Sequence, residues 1–317
     1  MWQERQAELL REEMEAFLAP LSDATGLYNL LKESLNKDIQ RLSNESGHSH
    51  YWPLLPLIVC EAISGRCEHA IPAAATLQLI KAAAEVFDDI EDADSSESLS
   101  TIYGSAVATN VATTLLILAE KGITRLKGKG VEDYIIVYVM DTINSFYTTA
   151  SVGQHLDLSR IPGIAVSEDA YLETVGMKSA STVECACCTG ALLATANQEL
   201  IDTFVLFGHN LGMAAQIAND VLGITSGSDI MKSRITLPII YALTQTGGKA
   251  RNKLESAFGK QPESKPDTVQ IRDLLFRSGA IHYATIKMEF YKQQALAILL
   301  EAEEAGVNVK RLKLFLE

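Results

Sequence analysis

Histidine-flanked cysteine pairs, long apolar runs and an excess of positive charge are all missing from this chain, and each absence removes a class of function. The five cysteines, Cys60, Cys67, Cys185, Cys187 and Cys188, show no paired C-x-x-C spacing beside histidines, which supports neither a zinc site nor a disulfide frame. They are expected as buried free thiols. No uninterrupted run of about 18 apolar residues occurs, and Met1 to Arg11 is a charged amphipathic pattern unlike a secretory leader. No stable membrane span and a cytoplasmic location are therefore expected. Lys and Arg total 27 against 40 Asp and Glu, a net charge of −13, so nothing provides the basic surplus that nucleic acid requires. Any anionic ligand must be held locally, through metal ions.

Strand signals are absent too, because apolar residues recur at helical spacing and alternating β-branched runs do not occur. The class is all-α. Gly, Ser and Pro breakers divide the chain into about ten or more helices. Without a repeat or a Gly/Ser or Pro linker, residues 1–317 read as a single helical domain, expected to form a homodimer.

What is abundant is acid at one place. The apolar helix through Ala70 to Asp94 ends in Phe87-Asp88-Asp89-Ile90-Glu91-Asp92-Ala93-Asp94, five acids within seven residues. At about 3.6 residues per turn Asp88 and Asp92 share a face with Asp89 beside them. Like charges so placed repel unless cations hold them together, and hard oxygen ligands suit Mg²⁺ bridged to phosphates. The small apolar residues Ala82, Ala83, Ala84 and Val86 set the acids on top of a buried helix.

A second apolar helix, Leu211 to Ile224, carries Gln216 and Asn219-Asp220, followed by a Gly/Ser loop and Asp229 through Arg234 to Thr236-Leu237-Pro238. These residues, with Gly153-Gln154-His155-Leu156-Asp157-Leu158 and Tyr171 through Lys178-Ser179-Ala180, resemble the trans-isoprenyl diphosphate synthase family from about residue 54 to 300. The resemblance implies an isoprenoid synthase fold, a helical bundle around a deep apolar cavity. It also implies ionisation of an allylic isoprenyl diphosphate by three Mg²⁺ held between two acidic helices. Asp88, Asp89 and Asp92 would be the catalytic acids, with Asp88, Asp92 and Asn219 as metal ligands. Lys178, Gln216 and Arg234 would bind the diphosphate, and Ala83 and Ala84 would leave room for a tail of roughly C15 to C25.

The chain departs from the family in three places. Elongating members hold isopentenyl diphosphate through a Gly-Lys-Arg segment and an Arg-Arg pair, whereas this chain reads Gly47-His48-Ser49-His50 and Ser95-Ser96-Glu97-Ser98. Asn219-Asp220-Val221-Leu222-Gly223 replaces the second D-D-x-x-D. On these losses the favoured expectation is a prenyl-synthase-like terpene synthase that cyclises its substrate. The alternatives are an isoprenyltransferase of the ComQ type with a different acceptor, ordinary elongation, or a non-catalytic partner subunit.

Overall fold

The computed structural model describes residues 2–43, 52–92, 96–159, 166–258 and 267–317, and among them every regular element is helical. His48, His50, Asp94 and Ser95 fall outside the described residues. The first helices are α1 (Trp2–Leu18), α2 (Thr25–Ser43), α3 (Leu55–Ser64), α4 (Ile71–Asp92), α5 (Leu99–Tyr103) and α6 (Ser105–Ile123). Then come α7 (Asp133–Leu158), α8 (Glu168–Val175), α9 (Ser181–Ala194) and α10 (Gln198–Ser226). The last five are α11 (Ser228–Met231), α12 (Leu237–Gln245), α13 (Gly248–Phe258), α14 (Thr268–Arg277) and α15 (Ala280–Glu304). The all-α class expected from the apolar spacing is what the structure shows.

Two compact units divide the chain: residues 1–145, 185–205 and 299–317 form one, and residues 146–184 and 206–298 the other. In the first, α4 is the central helix. Ile71 to Leu79, Ala82, Ala83 and Val86 are all buried, and α6 is its main neighbour. Small residues let helices close up here. A Cβ at Gly122 on α6 would strike the Phe17 ring of α1, and one at Gly190 would strike the Pro56 carbonyl of α3. Two stretches, Glu68–Asp92 and Ser105–Lys129, have a length and mean hydropathy of 1.3 that would let them cross a membrane. For the first, 72% of the apolar window is already buried within the structure, as befits a core helix.

The second unit has two apolar clusters. Tyr171, Val175, Ala180, Met213, Ile217, Leu237 and Ile240 bring α8, α10 and α12 together, while Ile224, Ile230, Ile239, Leu254, Phe258, Ile271 and Leu275 join α10 to α14. Burying a Leu or Ile side chain is worth about 1.5–3 kcal/mol, so these clusters fix the helices that carry Tyr171, Gln216 and Asp220.

Candidate active site

In the first unit Asp88, Asp89 and Asp92 stand at the C-terminal end of α4, all half-buried. This is an unfavourable place for them. The helix end carries partial negative charge, and α4 has no basic residue in its last turn to offset it. A bound cation would offset part of that negative charge. No three His, Cys, Asp or Glu side chains among the described residues converge into a ready-made cage. Mg²⁺ usually takes only one or two protein carboxylates and completes its shell with water and phosphate oxygens. The donor set, all oxygen and one turn apart, fits such an ion. Ser100 of α5 donates to the Asp89 carbonyl at 3.4 Å and braces the helix end.

Below the acids, Ala83 and Ala84 point in different directions, since adjacent residues on a helix are about 100° apart. Ala83 is fully buried and Ala84 exposed, so only Ala84 offers surface to a ligand.

In the second unit Lys178 lies in a π-turn, Gly176–Ala180, inserted between α8 and α9. Such turns widen a helix by one residue and recur at functional sites. Several groups hold it in place. A Cβ at Gly153 would fall 2.8 Å from Lys178 Cα, so only glycine allows α7 this close. Ser181 donates to the Met177 carbonyl at 2.6 Å and Thr182 to the Ser179 carbonyl at 2.8 Å. The Lys178 ammonium meets Asp157 at 3.0 Å, with both side chains about one-third exposed. The role of the Gly153 to Leu158 stretch is thus plain: its glycine backs the lysine and its aspartate receives the head group.

On α10, Asn219 is exposed while Asp220 beside it is only 3% exposed. Asp220 accepts from the Tyr171 hydroxyl through a short hydrogen bond, from Gln216 Nε2 at 3.0 Å and from the Leu237 amide at 3.3 Å. Burial pushes its carboxyl up to about 6, although Tyr171, Gln216 and the Leu237 amide all favour the charged form. Gln216 in turn accepts from the Ser179 hydroxyl at 3.1 Å. Both ends of its amide are therefore engaged within the protein. Arg234 is exposed and follows Ser233, the one non-glycine residue with positive φ (51°) among those described. Its charge lowers the carboxyl of nearby Asp229, which desolvation raises above the ordinary range on balance.

Sequence reasoning singled out Lys178, Gln216, Asn219 and Arg234 but missed Tyr171 as a partner of Asp220 and Asp157 as the seat of Lys178. It also missed a second cluster, where Glu168 accepts from Tyr283 at 2.6 Å and from Lys287 at 2.8 Å. Helical spacing could have signalled Gln216–Asp220 as an i,i+4 pair. The three missed pairings join different elements and leave no local signal.

A family model described as polyprenyl synthetase matches residues 33–275. The geranylgeranyl diphosphate synthase of Sulfolobus acidocaldarius is 24% identical over 308 residues, covering 91% of this chain and 93% of that protein. The tryptophan prenyltransferase ComQ of Bacillus spizizenii is 25% identical over 255 residues, 78% of this chain and 86% of its own length. Among solved structures, geranylgeranyl pyrophosphate synthetase from Pyrococcus horikoshii superposes with a TM-score of 0.82 at 25% identity, covering 94% of this chain and 90% of that one.

These likenesses correct the expectation of a cyclising terpene synthase. They run along nearly the whole chain to geranylgeranyl diphosphate synthases, which are chain-elongating, and outweigh the loss of two short basic segments. With its acid-tipped α4, its lysine-bearing π-turn and a family match spanning well over half its length, the chain belongs to the polyprenyl synthetase family.

Proposed function

We propose that this protein is a chain-elongating prenyl diphosphate synthase, which moves an allylic isoprenyl group from its diphosphate to isopentenyl diphosphate. The observation that carries the reading is the joint presence of end-to-end likeness to geranylgeranyl diphosphate synthases and three intact acids, Asp88, Asp89 and Asp92, on the buried helix α4. Bound Mg²⁺ would supply the positive charge that lets the diphosphate leave. Asp88 and Asp92 would hold it and Asp89 would orient its water. Lys178 and Arg234 would neutralise the departing diphosphate, the kind of charge stabilisation that is usually the largest catalytic term.

Ala84, the exposed alanine one turn before Asp88, would border the isoprenyl tail, and Ala83 beside it would serve helix packing. Gln216 is better placed to steady neighbours than to touch substrate, because its amide is already committed at both ends. We further propose a homodimer. Ile102, Ile117, Tyr134, Val137 and Tyr138 are each more than half exposed, apolar side chains that a second copy would cover. All five cysteines are free, which suits the reducing cytoplasm.

Incubation with Mg²⁺, an allylic diphosphate and labelled isopentenyl diphosphate tests the reaction, and label should enter a longer diphosphate. Transfer of the allylic group to an added tryptophan-containing peptide, with no label entering a longer diphosphate, would instead identify a different acceptor.

A further inference from the structure

We infer that Asp220 is a positioning residue for Lys178, acting through Gln216 and Ser179, and is not itself a ligand to metal or substrate. The inference rests on the proposed contact between Lys178 and diphosphate. Asp220 Oδ1 takes the Gln216 amide and Oδ2 takes the Tyr171 hydroxyl and the Leu237 amide, while the residue is sealed from solvent. A carboxylate enclosed in this way has no open side to present to a ligand. It does impose a direction. Gln216 can offer a carboxylate only its NH₂ group, so its carbonyl must turn the other way, where Ser179 donates to it at 3.1 Å.

Ser179 is the residue after Lys178 in the π-turn. A bond from its side chain to α10 therefore fixes the turn from one side, while Gly153 lies against the backbone of Lys178 from α7. The carbonyls of Met177 and Ser179 are taken by the hydroxyls of Ser181 and Thr182. With its base so constrained, the Lys178 side chain leads to the partly exposed Asp157 pair. Tyr171, seven residues earlier on α8, steadies the same carboxylate and closes the network through α8, α10 and the start of α12. Each polar atom in the relay has a directed partner, and such networks couple their members more strongly than isolated pairs do.

The test is a double-mutant cycle on binding. The affinity of an unreactive allylic S-thiolodiphosphate, with Mg²⁺ present, is measured by calorimetry for the parent, Ser179→Ala, Lys178→Ala and the double variant, with thermal melts alongside. Lys178→Ala should weaken binding about ten- to a hundredfold, because it removes a charged contact. Ser179→Ala should weaken it about three- to tenfold in the parent and not at all in the Lys178→Ala background. Ser179→Thr, which keeps the hydroxyl, should bind as the parent does, and Asp220→Asn should leave the Mg²⁺ concentration for half-activation unchanged. Equal losses from Ser179→Ala in both backgrounds, or none in either, would overturn the relay alone. A raised Mg²⁺ requirement in Asp220→Asn would return Asp220 to the metal. Unchanged binding by Lys178→Ala would overturn the lysine's diphosphate contact, and the inference with it.

Discussion

Gly223 of α10 lies against the carboxylate of Asp229 so closely that a Cβ at residue 223 would sit 2.7 Å from Oδ1 and nearer still to Oδ2. The position at which related sequences place the last acid of the second D-D-x-x-D is thus filled in space by a carboxylate from further along the chain. Asp229 is 9% exposed, and desolvation holds its carboxyl above the usual range against the pull of Arg234 and Lys232.

Restoring the family string with Gly223→Asp should therefore harm the protein. Two carboxylates would compete for one buried space, combining overpacking with unpaired charge, for a loss of about 2–4 kcal/mol. Urea unfolding measures this directly. A variant as stable as the parent and more active would show that the loop can open to admit a further acid.

Gly153→Ala should lower kcat/KM by roughly ten- to a hundredfold while the helical circular dichroism is retained. The added methyl meets the backbone of Lys178, which has no flexible end to swing aside, so α7 and the π-turn must part by several tenths of an ångström. Displacements of that size at a charge-stabilising group are worth about 1.4–3 kcal/mol in the transition state. Unchanged kinetics would mean that the seat of Lys178 is not critical.

The Glu168 cluster gives a pH signature. Desolvation raises the Glu168 carboxyl, but hydrogen bonds from Lys287 and Tyr283 outweigh it and hold the group below its ordinary value of 4.5. A folded pKa that is depressed adds stability above the unfolded value and loses it as pH falls through the folded one. Glu168→Gln should accordingly cost about 1 kcal/mol at pH 7, and this difference should shrink steadily below pH ~4.5. A gap that stays constant from pH 7 to pH 3 would assign the loss to packing.

The fold was legible because long apolar periods dominate this sequence, and the acid tip of α4 stood out because Ala82 to Val86 marked the helix beneath it as buried. Single steps around a helix were harder to read. Asn219 and Asp220 are both polar and about 100° apart, so one had to face inward, and only the partners Tyr171 and Leu237 decide that Asp220 does. The same step separates buried Ala83 from exposed Ala84. Spacing within one helix cannot reveal a partner on another element, which is why the sequence leaves the pairings of Asp157 with Lys178 and of Tyr171 with Asp220 unread. The cyclisation expectation failed for a different reason: it weighed three short local departures above a likeness that spans the chain.

The acids of α4 provide a separate check. Asp88→Ala or Asp92→Ala should abolish diphosphate release and leave the fold intact, since each would remove an oxygen from the proposed metal site and relieve repulsion at the helix end. Activity within about tenfold of the parent, only some 1.4 kcal/mol of transition-state stabilisation, would contradict the assignment.

The most direct test of the central claim is the fate of carbon-labelled isopentenyl diphosphate incubated with the enzyme, Mg²⁺ and allylic diphosphates of increasing length. Chain elongation predicts label in a product that still carries its diphosphate and is longer by one or more isoprene units, with no product from Asp88→Ala. Consumption of the allylic diphosphate with release of unlabelled hydrocarbon, and no label in any longer diphosphate, would contradict it.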